Sequence, residues 1–353
     1  MSAFISLLRQ YQHEFEHRYS SQLDRDKRNA IYAMLSCQTE QQQKVKWSCS
    51  ACKHTEQHPI SCGHRQCPQC SQCQHQTTSD WLARQQQKLL PTHYFMVTLT
   101  IPYQLRSLAI KQPKAFYKIL FTVAQSTLKD FAARQEKGAM GFTMVLHTHN
   151  RKRDLHPHLH VVIPAGRYDA NKQEWHKGDK QYLFNAFALA KVWRARLLDA
   201  INHHDALTLP KCIPSKWVVD CRHVGYGEHA LQYLSRYLYR GVLADKDIIN
   251  ITPNSVTFRY KDGQTKQWAT RTLPPLQFLW LILQHVLPKG LQRVRDYGFL
   301  RGNARVIRFR IQQLLMRITS WIAPTIATVR GKAARLCPCC HHQMQYAGII
   351  RPT

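Results

Sequence analysis

The segment His156-Pro157-His158-Leu159-His160 sets imidazoles at alternate positions. On a β-strand alternate side chains share a face, so His158 and His160 point together while Leu159 and Val161 enter a core. Two imidazoles placed this way can chelate one divalent ion, and a third ligand must come from elsewhere. If residues 141–149 pair antiparallel with 156–163, His147 falls nearly opposite His158. His147 is therefore the first choice, ahead of His156, His149, His223 and Glu228. Zinc hydrolases also place His-x-His at strand ends, often followed closely by Asp-His. Val161-Val162 follows here, which argues against that chemistry.

A second constellation lies in GEHALQYLSRYLYRG, where Tyr233 and Tyr237 are four residues apart. On a helix they share one face, with His229 and Arg240 near the same stripe and Tyr239 pointing elsewhere. An aromatic core stripe is the plain explanation. A tyrosine hydroxyl is also a nucleophile that forms covalent intermediates once activated, and a metal that polarises a phosphate supplies complementary help. Paired strand histidines and paired helix tyrosines together suggest phosphodiester transesterification.

The cysteines suggest a different chemistry. Cys49-x2-Cys52 and Cys67-x2-Cys70 are separated by fourteen residues, so the two knuckles can offer four thiolates to one tetrahedral Zn²⁺. Four sulfur ligands leave the ion no open position, which makes such a site structural. Cys62, Cys73, His54, His58 and His64 are left over, to join a second site or substitute in the first. Cys337-Pro338-Cys339-Cys340-His341-His342 is half a site. Either Cys337 and Cys340 use the adjacent histidines, or they join spare N-terminal ligands across the fold. Cys37, Cys212 and Cys221 read as buried small hydrophobes.

Charge narrows the partner. Fifty Lys and Arg against 21 Asp and Glu give the 353-residue chain a formal charge of +29. That excess repels itself unless a polyanion neutralises part of it, so nucleic acid is the expected partner. Eleven Lys and Arg fall between Lys289 and Arg335 against one acid, Asp296. A phosphate track including Lys289, Arg293, Arg295 and Arg301 is expected there. The longest apolar run, Phe278–Leu287, is broken by Gln284 and His285 and is about half of the ~20 residues a spanning helix needs. No leader pattern precedes it. A cytoplasmic protein that makes no use of a membrane is expected, with its cysteines serving metal rather than disulfides.

These residues must be held by a fold of three blocks. Residues 1–90 begin with helical spacing at Phe4, Leu7, Leu8, Tyr11 and Phe15 and again around Arg28–Leu35. The Cys-rich segment follows, then a Gln-rich helix over 80–90. Residues 91–245 open with a strand at 93–102, a helix at 113–136 and a hairpin of 141–149 with 156–164. A polar insert (166–180) leads to a helix at 182–201, a strand at 216–224 and the tyrosine helix at 228–240. That order predicts α+β architecture, with helices on a largely antiparallel sheet. Residues 246–353 begin with a strand pair turning at Asp262-Gly263, then basic helices and the last Cys cluster.

Motifs in this order resemble the IS ninety-one family of rolling-circle insertion-sequence transposases, which are HUH single-strand endonucleases. The resemblance rests on HPHLHVVIP, YLFNAFALAKVWRARLL, ALQYLSRYL and HVLPKGLQRVRDYGFL. It also rests on the Cys62/Cys67-Pro68/Cys70 pattern, the VTLTIP strand and the late Cys337/Cys340 pair. It implies an HUH endonuclease-like sheet, with His158 and His160 as the histidine pair and Leu159 between them. Tyr233 and Tyr237 match the two nucleophiles of the family's Y-x3-Y motif. Mg²⁺ or Mn²⁺ is implied as the catalytic ion, Zn²⁺ as the structural one, and single-stranded or hairpin element ends as the DNA. The setting implied is the bacterial nucleoid. His156-Pro157, which makes a run of three histidines, departs from the family pattern and leaves the third ligand open. A plasmid replication initiator or relaxase shares this chemistry, and a non-catalytic zinc-dependent nucleic-acid-binding protein is the reading of a different class.

Overall fold

The structure, a computed structural model, describes residues 2–134, 138–238, 241–319 and 334–351, without the side chains of 71–77 and 237. It begins with α1 (Ala3–Gln10), α2 (Gln12–Arg18) and α3 (Arg25–Leu35). Asp24 caps α3 by accepting the Lys27 N–H at 2.8 Å, one of the donors a helix start leaves over. Asp245, from far along the chain, accepts the N–H groups of Ala3 and Phe4 at 2.9 and 3.0 Å. A hairpin of β1 (Lys44–Ser48) and β2 (Thr55–Pro59) follows, then α4 (Ser71–Gln86).

The middle of the chain carries β3 (Tyr94–Thr100), α5 (Arg106–Lys111), α6 (Pro113–Ala133), β4 (Phe142–His149) and β5 (Leu155–Pro164). The polar insert folds a small hairpin, β6 (Gly166–Asp169) with β7 (Glu174–Lys177). Then come α7 (Ala186–Asn202), β8 (Val219–His223) and α8 (Glu228–Leu238). The last third holds β9 (Ile248–Ile251), β10 (Val256–Lys261), β11 (Trp268–Leu273) and α9 (Pro275–Leu283). It ends with β12 (Val294–Tyr297), α10 (Arg305–Ile318) and β13 (Gln345–Ile350).

The fold is α+β, as expected. Five strands in the order β12-β4-β5-β3-β8 form one sheet, every neighbouring pair antiparallel. Period-two alternation divides its faces. Leu159, Val161, Val97, Leu99, Met144 and Leu146 turn to a core shared with α5, α6 and α7. Val145, Val162 and Tyr94 turn the other way, under Ala230, Leu231, Leu234 and Leu238 of α8 and Trp81 of α4. Burying each of those large side chains is worth roughly 1.5–3 kcal/mol, which fixes α8 against the sheet.

The third block packs with the first. Phe258, Phe278 and Leu279 share a core with Phe4, Phe15 and Ile31 of the N-terminal helices. Strand β12 is an edge of the central sheet, and β13 pairs with β1 to complete a three-stranded sheet in the order β13-β1-β2. Local periodicity does not encode which distant strand a short segment joins, so these pairings lie beyond sequence patterning. Of the region expected to be basic helices, α9 is apolar and buried, and α10 is an amphipathic helix with Ile311 and Leu315 inward. Residues 320–333 lie outside the described residues.

Candidate functional site

The β4–β5 pairing sets His147 opposite His158, and β3 sets Thr98 opposite His160. The ring centroids of His147, His158 and His160 lie 5.3, 4.5 and 4.8 Å apart pairwise. One ring nitrogen from each falls within 4.8 Å of the others. His158 Nδ1 donates to the His156 carbonyl at 2.6 Å, and His160 Nδ1 meets Thr98 Oγ1 at 3.0 Å. Each Nδ1 is thus engaged, and Nε2 is the nitrogen left to face an ion. Such outer hydrogen bonds fix the tautomer and aim of a metal-binding imidazole.

Burial keeps all three rings neutral. It pushes the His147 pKa well below the usual histidine value, lowers that of His158, and takes His160 down to about 3, with neighbouring imidazoles adding to the effect on His147 and His160. A neutral imidazole is the form that ligates metal. The donor set therefore fits a divalent ion, and because it contains no carboxylate it suits Mn²⁺ better than Mg²⁺, which prefers oxygen.

The alternative third ligands are turned elsewhere. The β4–β5 register shifts between His147 and His149, opposite His156-Pro157, and Pro157 has no N–H to lend to a ladder there. His156 Nδ1 meets an Arg106 nitrogen at 2.6 Å. His149 packs against His285, and His223 pairs with His93 at 2.9 Å. Glu228 accepts from Gln86 at 3.1 Å.

Helix α8 crosses the same face of the sheet. Its apolar positions cover Val145 and Val162, and Tyr233 reaches the ring of His160. The Tyr233 and His160 rings are nearly perpendicular, 88° between planes, with centroids 6.1 Å apart. Tyr233 is 37% exposed, so part of the residue meets solvent. Tyr237 lies one turn further along α8; its side chain is outside the described residues.

The cysteines form two clusters, and the expectation that Cys49, Cys52, Cys67 and Cys70 share one ion is corrected. Cys67 and Cys70 gather with Cys62 and Cys37, whereas Cys49 and Cys52 gather with Cys337 and Cys340. The cause is the β1–β2 hairpin, whose turn carries Cys49 and Cys52 to the strand pair β1–β13 and away from α4. Cys37, expected as a plain core residue, completes the first cluster from the end of α3, its sulfur 3.2 Å from that of Cys70. Within the second, sulfurs of Cys49 and Cys340 are 3.4 Å apart and those of Cys52 and Cys337 3.5 Å. These separations far exceed a disulfide's ~2.05 Å and approach the ~3.8 Å edge of a ZnS₄ tetrahedron.

The two halves of the second cluster are built alike. Cys49 N–H donates to the His54 carbonyl and Lys53 N–H to the Cys49 carbonyl. Cys337 N–H donates to His342 and His341 N–H to Cys337 in the same pattern. Lys53 and His341, both fourth after the leading cysteine, have φ of +60° and +57°. Repeated turn geometry at opposite ends of the chain is what two metal knuckles require. Each cluster holds thiols of both kinds: backbone N–H groups draw Cys49 down to about 6 and a hydrogen bond from Cys62 draws Cys67 down to about 6, while burial pushes Cys37 up to about 12 and Cys340 is likewise raised. A bound cation would let all four sulfurs of either cluster ionise, and four thiolates fit structural Zn²⁺.

The four expected phosphate contacts divide. Lys289 is exposed, and Arg301 stands beside the Tyr297 ring. Arg293 donates to the Leu238 and Leu146 carbonyls at 2.7 and 2.9 Å, and Arg295 lies 4.0 Å from the Phe121 ring. Arg293 and Arg295 thus brace β12 against the sheet. Thr98, Arg106 and Cys37 were not singled out by spacing. The one hint for Cys37 was numerical, since Cys62, Cys67 and Cys70 are one short of four.

Two family models match the chain. Residues 7–101 match "Transposase zinc-binding domain", of the IS ninety-one type, and residues 141–306 match "Putative transposase". The "Putative transposase y4qJ" of Sinorhizobium fredii is 28% identical over 95% of this chain and 92% of its own length. The "Transposase for insertion sequence element IS801" of Pseudomonas savastanoi pv. phaseolicola is 25% identical over 76% of this chain and 69% of its own. A metal-free structure of the conjugative relaxase TrwC with oriT DNA covers 63% of this chain and 72% of that one. Its 13% identity and TM-score of 0.27 are too low to support an assignment. The two family models occupy most of the chain in order, both relatives carry transposase names, and the chain belongs to the IS ninety-one family of transposases.

Proposed function

We propose that the protein is a single-strand DNA endonuclease and strand transferase that moves an insertion sequence by a rolling-circle route. The observation that supports this reading is the Tyr233 ring set edge-on to His160, centroids 6.1 Å apart, where His160 gathers with His147 and His158. Those three histidines would hold Mn²⁺ or Mg²⁺. When bound, the ion supplies Lewis-acid polarisation of a non-bridging phosphate oxygen.

The chain's own part is nucleophilic. Tyr233 Oη loses its proton and forms the bond to phosphorus as the bond from phosphorus to the 3′ oxygen breaks. The released 3′ oxygen takes up a proton, leaving a 3′-OH and a 5′-phosphotyrosine. One phosphodiester replaces another, so the transfer is close to isoenergetic and needs no nucleotide triphosphate. Tyr237, one turn along, would serve as the second nucleophile at the other end of the element.

The test uses labelled single-stranded oligonucleotides tiled across the DNA flanking the coding sequence, with Mn²⁺. An SDS-resistant protein–DNA adduct should form, weaken in Tyr233→Phe and Tyr237→Phe, and vanish in the double variant. An adduct that survives in the double variant rejects the tyrosine assignment. Binding with no cleavage in the unaltered protein would instead support a non-catalytic binder.

A further inference from the structure

A cavity of about 690 Å³ opens where the N-terminal module, α8 and the 285–294 segment meet. That volume is within the ~300–1,000 Å³ of small-molecule sites. It lies beside the histidine cluster rather than in it. Leu238, on its wall, is the residue after Tyr237, and Arg293 donates to the carbonyl of Leu146, next to His147. The cavity is braced from within. Gln66 accepts from Val242 N–H at 2.9 Å and donates to the His285 carbonyl at 3.4 Å.

Its lining is of two kinds. The guanidinium groups of Arg65 and Arg293 both donate to the Leu238 carbonyl, at 3.3 and 2.7 Å, so two positive charges converge at the C-terminal end of the tyrosine helix. Lys289 adds a third charge on the exposed side, and Asp26 is the one carboxylate among the lining residues. The remaining wall includes Leu238, Leu287 and Leu291. Guanidinium planes and apolar side chains accept the face of a base, while clustered cations accept phosphate. A lone carboxylate can take a base amino group.

We infer that this cavity is a nucleotide pocket, which holds one nucleotide of the single strand unstacked beside the scissile phosphate. The identity of the polymer rests on the endonuclease reading above; the pocket itself does not. Lifting one base out of a single strand costs little stacking energy, and it gives a cleaving enzyme a fixed register. Two chain segments far apart in sequence, 62–66 and 285–294, would thus read the strand that α8 cuts.

The probes are the four deoxynucleoside 5′-monophosphates and inorganic phosphate, each titrated by saturation-transfer NMR against the full zinc-loaded chain. At least one monophosphate should bind saturably and at least tenfold more tightly than phosphate. Gln292→Trp, which sets a large ring at the exposed lining, and Lys289→Glu should each weaken that binding tenfold or more, with zinc content and melting unchanged. Equal binding by phosphate and the best nucleotide, or undiminished binding in both variants, overturns the pocket. His158→Ala separates the two readings. It should lose cleavage and keep nucleotide binding; loss of nucleotide binding in a folded His158→Ala protein also counts against a distinct pocket. If the unaltered protein binds nucleotide but cleaves nothing, the endonuclease reading fails alone.

Discussion

The histidine cluster and the two cysteine clusters gather groups that could hold a metal ion by opposite means. The histidines come from one hairpin: His147 and His158 are register partners and His160 is two residues on. The cysteine cluster at the chain ends joins residues up to 291 positions apart, Cys49 to Cys340. The first cluster is set by local pairing, and an ion there would add chemistry to a sheet that already stands. The second exists only once distant segments have met, so there the ion is part of what holds the fold.

The comparison breaks most visibly where zinc is removed. Cys67→Ser takes a ligand from the cluster that ties α3 to the start of α4, next to the core shared by Phe4, Phe278 and Leu279. Structural zinc in small modules is worth on the order of 10 kcal/mol or more, comparable to the whole net stability of a typical domain. The unaltered protein should carry two zinc ions per chain by mass spectrometry. Cys67→Ser should carry one and lose cooperative melting of its N-terminal region. Cys337→Ser should also carry one, yet free only the terminal strand β13, read as selective proteolysis of residues 334–351. If the two variants melt alike, the clusters do not have these different roles.

The converse holds at the histidines. His158→Ala removes a ligand from a face that α8 covers only in part, and the opposite face of β5, with Leu159 and Val161, keeps its core. Losing Lewis-acid help worth several kcal/mol should lower the cleavage rate at least about 10³-fold. DNA binding and the melting temperature should change little. A variant that unfolds as Cys67→Ser does would place His158 among the structural residues, and one that cleaves normally would remove it from the site.

How much could be read beforehand follows from the same contrast. The strand alternation around Leu159, the hairpin across 150–155 and the four-residue tyrosine spacing are local, and with them the partner His147 was legible. The pairing of Cys67 with Cys70 was legible too, because two residues between cysteines make a knuckle. Which knuckles share an ion was not, since fourteen intervening residues suit one shared site as well as two separate ones. The structure separates them because β13 occupies the side of β1 opposite β2. Thr98 was illegible for another reason: its role depends on the lateral β3–β5 register, which places it opposite His160.

That register makes Thr98 the finest probe of the histidine site. Its hydroxyl meets His160 Nδ1 at 3.0 Å, which leaves Nε2 as the nitrogen that an ion would take. Thr98→Val keeps the β-branched shape that suits a strand but removes the oxygen. Outer partners of metal-binding histidines are typically worth 10–100-fold in metal affinity or activity. The Mn²⁺ concentration giving half-maximal cleavage should therefore rise by about that factor in Thr98→Val, while the rate at saturating Mn²⁺ recovers most of its value. Thr98→Ser, which restores the oxygen without the methyl, should return the midpoint toward the original. A lower saturated rate with an unmoved midpoint would mean that Thr98 serves the DNA rather than the ion, and the hydrogen bond to His160 would then not be what positions the ring.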